Sequence, residues 1–237
     1  MPSSDTSPTS EPRPDVILPL EPGDRLTRDK FERRYHAMPN LKKAELIEQV
    51  VYIPSPARFR RHAQPHFRLI GWLGVYAAAT PGVDGGSNGT IRLDWDNEPQ
   101  PDAFLLIDPA CGGQARISTD DYVELAPELV GEVSASSASF DLHTKLHVYR
   151  RNGVREYLVW RVQDRQFDWF ALRAGEFQPL TPAADGILRS EVFPGLWLDA
   201  AALLRGDMPQ VLATARQGIA SPEHADFVRR LGAAGPA

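Results

Sequence analysis

Apolar residues recur at helical spacing in some segments of the chain and alternate with polar ones in others. "LTRDKFERRYHAM" predicts a short helix, with Thr27 at the N-cap and Phe31 and Tyr35 at i, i+4 on one face. "AELIEQVVYIPSP" fits either a helix through residues 45–49 or a strand; the β-branched and aromatic "VVYI", ending at a proline pair, favours the strand. "HFRLIGWLGVYAAATPG" predicts a largely buried helix, apolar around most of its circumference, that stops at Thr80-Pro81-Gly82. "GTIRLDWDNEPQ" alternates Ile91, Leu93 and Trp95 with Arg92, Asp94 and Asp96, as a half-exposed strand does. "PDAFLLID" predicts a buried strand with Pro101 confined to its first position, and "ACGGQAR" a turn after it.

The stretch "PELVGEVSASSASFDLHTKLHVYRRNGVREYLVW", residues 127–160, predicts strand, turn, helix and strand. Ser137 or Ser139 can cap the helix, and Gly153 closes it at C′. Two apolar strands joined by a helix form a βαβ crossover, parallel and right-handed by strong precedent. "RQFDWFALRAGEFQPL" then predicts a hairpin turning at Gly175, and "GILRSEVFPGLWLD" a further strand or extended segment. Short helices are expected around 200–204, 209–217 and 222–231. This order gives an α/β (α+β) fold, a mixed β-sheet flanked by helices in a single domain. Residues 1–24, rich in Pro and Ser, read as a disordered tail, 25–206 as the domain, and 207–237 as a C-terminal helical extension.

The composition is that of a soluble globular chain, with 42% hydrophobic and 24% charged residues. No apolar run reaches the ~18 residues of a membrane span, and the start lacks the basic and apolar regions of a signal peptide. Cys111 is the single cysteine, so no internal disulfide forms; this fits a reducing compartment and an expected cytoplasmic location. The net charge of −5 weighs against nucleic-acid binding over the whole surface. One segment runs the other way: "ARFRRHAQPHFR" carries Arg58, Arg60, Arg61 and Arg68 with no acid. It reads as a solvated loop or as a phosphate-contacting patch.

Glu132, set between Gly131 and Val133 in the predicted strand, is expensive to bury unpaired. At about 100° per residue, Asp141 and Lys145 flank an apolar stripe of Leu142, Leu146 and Tyr149, while His143 and His147 fall on the opposite side. The plain reading is an i, i+4 ion pair of a few tenths of a kcal/mol. Asp102, at the start of another predicted strand, changes the weighing. Two carboxylates on adjacent strands beside a lysine can hold Mg²⁺ or Mn²⁺, which prefers one or two carboxylates, waters and phosphate oxygens. Lys145 would then orient the attacking water or steady the leaving charge.

These segments together, "AELIEQVVYIPSP", a histidine-led helix, "PDAFLLI", the 127–160 stretch and "SEVFPGLWLD", resemble the Uma-type family of putative restriction endonucleases, within the PD-(D/E)xK nuclease superfamily. The likeness spans roughly residues 26–206. It implies a restriction-endonuclease-like fold, DNA as substrate and a divalent metal. By this resemblance Asp102 and Glu132 match the metal-binding acids, and the Val133 carbonyl is a further ligand. Lys145 matches the lysine, displaced onto the helix. Asp141 matches the helix-opening acid, Glu45 the early acid, and His66 or His62 the histidine. Two departures stand out: Ser134 occupies the usual lysine position two residues after the glutamate, and Gln49 stands where much of the family has glycine.

Other signals are weaker. His62–His66 and His143–His147 have zinc-compatible spacing without the HExxH glutamate. The glycines of "TPGVDGGSNGT" lack the Lys-Ser/Thr of a phosphate loop. Cys111 receives no catalytic role. The alternative to a metal-dependent endonuclease is a silent nuclease fold used as a binding or assembly module, and a hydrolase of other substrates shares the same metal chemistry. A homodimer would suit cleavage of both strands of a duplex. No membrane partner is expected.

Overall fold

The computed structural model describes residues 17–135 and 137–234. The tail expected over residues 1–24 lies outside them as far as residue 16, and within the remainder Leu20 is buried. Helix α1 (Arg28–His36) seats Phe31 in the interior; Thr27 stands at its N-cap without a side-chain capping bond. The ambiguous segment that follows is an antiparallel hairpin, β1 (Glu45–Ile47) and β2 (Val50–Tyr52). Its turn needs left-handed backbone at both central residues, which Glu48 and Gln49 adopt with φ of 53° and 63°. Neighbouring groups hold that unfavourable conformation. Glu48 N donates to Asn97 Oδ1 at 2.9 Å, Gln49 N to the Asp96 carbonyl at 2.9 Å, and Gln49 Nε2 to Asp96 Oδ1 at 2.9 Å.

The arginine-rich segment is not a loop. Phe59–Ala63 forms a π-helical turn that runs directly into α2 (Gln64–Ala78). Pro65 falls in the first turn of α2, at the change from π- to α-helical winding. The helix buries one face, through Leu69, Trp72, Leu73 and Tyr76, rather than most of its circumference.

Strands β3 (Val83–Gly86), β4 (Ile91–Arg92), β5 (Ala103–Ile107), β6 (Arg116–Ile117), β7 (Val123–Glu124) and β8 (Leu129–Ser134) follow. Apart from a single bridge from Glu98 to Leu46, the alternating 90–100 segment forms a strand only at Ile91–Arg92. Beyond it, Asp94 accepts bonds from Asp96 N and the Asn97 amide, bending the chain into a turn and leaving Trp95 69% exposed. After β8, α3 (Ala138–Phe140) continues through a π-helical turn (Asp141–Lys145) into α4 (Leu146–Arg151), and Gly153 closes it at φ 82°. Next come β9 (Glu156–Arg161) and the hairpin β10 (Gln166–Arg173) and β11 (Glu176–Pro179), which turns at Ala174-Gly175. The 187–198 segment splits into two short paired strands, β12 (Leu188–Arg189) and β13 (Trp197–Leu198). Helices α5 (Ala200–Arg205), α6 (Met208–Ile219) and α7 (Pro222–Ala234) complete the described chain.

The main sheet has the order β11-β10-β9-β8-β5-β3. Only β8 and β9 are parallel within it, joined by the α3–α4 crossover, so the fold is the expected mixed α/β architecture. Period-two alternation assigns side chains to two cores. Leu129 and Val133 of β8 join the core beneath α2, into which α6 and α7 also insert Val211, Ala215, Phe227 and Leu231. Val130 of β8 and Phe104 and Leu106 of β5 face the other core, with Val148 and Tyr149 of α4. Glu132, two places from Val130, shares that second face.

Candidate active site

The register of β5 and β8 builds the site. Ala103 lies opposite Gly131, so the pairing extended by one place sets Asp102 against Glu132. Directly opposed residues project to the same face, and that face is the one α4 covers. Val133 lies beyond the last paired position. Its N–H turns toward the β5 side and donates to Asp102 Oδ2 at 2.8 Å. Because the N–H and C=O of one strand residue point the same way, its carbonyl is on the β5 side as well.

The helix supplies the cation. At the idealised spacing Asp141 and Lys145 lie on the flank of the apolar stripe, but the π-helical turn rotates them to its centre. Both are buried, while Leu142 and Leu146 are half-buried and His143 and His147 exposed. Lys145 Nζ donates to Glu132 Oε1 and to Glu45 Oε1, each at 2.9 Å. Tyr149 OH donates to the same Glu132 oxygen at 2.9 Å. Asp141 accepts from the hydroxyls of Ser134 and Ser137, the latter at 2.6 Å. Glu45 Oε1 also accepts from Gln100 N at 2.8 Å.

Both histidines of the 62–66 pair reach Asp102 and divide their contacts. His62 Nε2 lies 3.1 Å from the Asp102 carboxylate, and His66 Nε2 lies 2.7 Å from its backbone carbonyl. Lys43 Nζ stands 3.5 Å from Asp102 Oδ1. All six side chains singled out in the sequence therefore gather at one end of the sheet: Glu45, His66, Asp102, Glu132, Asp141 and Lys145. The sequence reading omitted Tyr149, Lys43, Ser134 and Ser137 as partners. Tyr149 follows Lys145 by one turn, and Lys43 precedes Glu45 by one strand period, so both spacings carried the signal. The hydroxyl at Ser134 acquires its use only once the helix folds back.

Four carboxyls are buried here, Glu45, Asp102, Glu132 and Asp141, against the one buried ammonium of Lys145. Burial lifts the Glu132 carboxyl above the usual carboxylate range even with Lys145 beside it. Burial likewise raises Asp141 against the pull of Lys145 and the two serines. At Asp102 burial is outweighed by the hydrogen bond from His62, the charge of Lys43 and the Val133 N–H, and its carboxyl is held low. Lys145 stays protonated because Glu132, Glu45 and Asp141 outweigh its own burial. Among the described residues no three His, Cys, Asp or Glu side chains converge as a protein-only metal cage. Glu132 Oε2 and Asp102 Oδ1 accept no hydrogen bond from the described residues. The set suits a hard cation held by two carboxylates that keeps the rest of its shell for other oxygens.

No curated protein matches the sequence. The solved structures with a similar fold include a putative nuclease belonging to DUF820 from Anabaena variabilis ATCC 29413. It superimposes with a TM-score of 0.51 at 12% identity, over 73% of this chain and 97% of that one. No described helix is long and apolar enough to cross a membrane. Residues 28–201, which carry every side chain of the site, match the Uma2 family, described as "Putative restriction endonuclease", and the chain belongs to that family.

Proposed function

We propose that the protein is a metal-dependent endonuclease that hydrolyses phosphodiester bonds of DNA at the Asp102–Glu132 pair. The observation that carries this reading is the cross-strand opposition of the two acids with Lys145 Nζ 2.9 Å from Glu132. Asp102, Glu132 and the Val133 carbonyl would hold Mg²⁺ or Mn²⁺, which when bound would lower the pKa of a water and offset charge on the scissile phosphate. The excess of buried carboxyls over cations is the charge balance that such an ion corrects.

The chain's own groups set up the reaction. Lys145 remains an ammonium between Glu45 and Glu132, placed to orient a water or meet negative charge developing on the phosphate. Glu45 and Tyr149 are positioning residues, the first for Lys145 and the second for Glu132. Asp141, tied to Ser134 and Ser137, anchors the helix start over the strand. His62 and His66 position Asp102, the first at its carboxylate and the second at its backbone carbonyl.

The test is plasmid cleavage by purified protein with Mg²⁺ or Mn²⁺. Cleavage is expected in the wild type, lost with chelator and lost in Asp102→Asn and Glu132→Gln. Equal nicking by the wild type and both variants overturns the reading. Metal-independent DNA binding without turnover would instead favour the nuclease fold used as a binding module, the reading toward which Ser134 at the lysine position points.

A further inference from the structure

The segment that delivers His62 to Asp102 carries features its contacts with the acid do not use. Residues 49–83 contain no Asp or Glu, although the whole chain has a net charge of −5. Within them Arg58, Arg60 and Arg61 are exposed on the π-helical turn, with no ion pair among the described residues. The same turn and the start of α2 expose two aromatic rings, Phe59 at 67% and Phe67 at 78%. Phe59 precedes His62 by three residues, and Phe67 follows His66 directly. The two histidines turn inward to Asp102, and the two phenylalanines beside them face solvent. Exposed phenylalanine on a helix that has buried Leu69, Trp72, Leu73 and Tyr76 does nothing for the fold.

We propose that Phe59 and Phe67, edged by Arg58, Arg60 and Arg61, bind a single-stranded or unpaired stretch of nucleic acid and lead its backbone to Asp102. For its substrate class this rests on the phosphodiesterase reading above. Unstacked bases lie flat on aromatic rings, and unpaired arginines take the phosphates between them. In an intact duplex the base faces are stacked on one another, and the two rings would have nothing to cover. The surrounding arginines select a polyanion over an apolar protein surface.

The proposal is tested by fluorescence anisotropy with the full chain in chelator, so that binding is read without turnover. The probes are a labelled single strand of about 16 nucleotides and the same strand in duplex. The single strand is expected to bind at least about tenfold more tightly than the duplex. The double variant Phe59→Ala/Phe67→Ala should lose at least about tenfold in single-strand affinity, with duplex binding nearly unchanged. Phe59→Trp/Phe67→Trp should keep it. Arg60→Ala/Arg61→Ala should weaken both probes and flatten the salt dependence, by about 0.7 per lost phosphate contact on the single strand and about 0.9 on the duplex. Circular dichroism checks the fold, which these exposed positions leave intact.

No binding by the wild type, or single-strand affinity indifferent to the loss of both rings, overturns the proposal. So does a wild-type dimer in sedimentation that the double alanine variant dissolves, because the rings then cover a protein surface. Single-strand binding that follows this pattern without metal-dependent cleavage leaves the strip standing and the nuclease reading fallen. Cleavage that ignores Phe59 and Phe67 does the reverse.

Discussion

Lys145 Nζ lies 2.9 Å from Glu132 Oε1 and 2.9 Å from Glu45 Oε1, a residue 100 positions earlier in the chain. One buried ammonium thus ties the first hairpin and the central strand to the crossover helix. Removing it leaves two carboxyls facing each other without a counter-charge. Lys145→Met should destabilise the fold by about 3–5 kcal/mol, measured by urea unfolding. Adding Glu45→Gln and Glu132→Gln to that variant should recover most of the loss. A triple variant no more stable than Lys145→Met alone would show that the cost is one of packing, not charge.

Tyr149 donates to the same Glu132 oxygen, and its ring is fully buried. Tyr149→Phe keeps the ring and deletes one bond to a charged group, so stability should fall by about 1.5–3 kcal/mol. Cleavage should slow while DNA binding measured in chelator stays unchanged. Weakened binding with an unaltered cleavage rate would place the hydroxyl outside the positioning of Glu132.

Glu156 offers a titration away from the site. Its carboxyl, fully buried, accepts from Ser190 Oγ, Trp169 Nε1 and the Glu191 and Val192 N–H groups. Burial outweighs those four donors and pushes it up to about 7. The folded protein therefore holds a proton that the unfolded chain, near 4.3, gives up. The contribution of Glu156 is most favourable below about pH 4.3 and is lost as pH rises toward 7. The stability difference between wild type and Glu156→Gln should shrink by up to about 3 kcal/mol from pH 4.5 to 8, read by urea unfolding across that range. A pH-independent difference would show that the donors win.

Gln49 adopts φ 63°, where glycine pays no steric penalty. Gln49→Gly should raise stability by about 0.5 kcal/mol, after loss of the exposed bond to Asp96. Gln49→Val should lower it by at least about 1 kcal/mol. Thermal unfolding of the two variants decides it. An equal effect of both would mean that the turn, not its backbone angle, is indifferent to sequence.

That turn marks where the sequence was legible and where it was not. The strands around Asp102 and Glu132 could be read because continuous apolar runs bounded by turn residues have one good solution, a buried sheet. The helix over 138–151 was visible, and so was its apolar stripe, since Leu142, Leu146 and Tyr149 all pack on the second core; the full burial of Asp141 and Lys145 was not. An ideal 100° step leaves Asp141 and Lys145 on the flank of that stripe, whereas the π-helical turn brings both fully inward beside it. Local periodicity assumes a uniform helix, and here tertiary ion pairing outweighs it. The short β4 strand failed for a related reason: Asp94 spends its oxygens on Asp96 and Asn97, which ends an alternation that looked strand-like. The arginine-rich helix start was hidden because its π-helical turn buries no side chain and is tied down by the long-range contact of His62 with Asp102.

The order in which the site's parts leave the ribosome follows from their numbering. Glu45 and Glu132 are both synthesised before Lys145, and the two carboxyls share the single charge that Lys145 brings. The first hairpin already has partners made before the helix, Glu98 and Gln100, but Glu45 and Glu132 have no shared cation until the crossover helix emerges. The last-made partner is the one that lets the corner close.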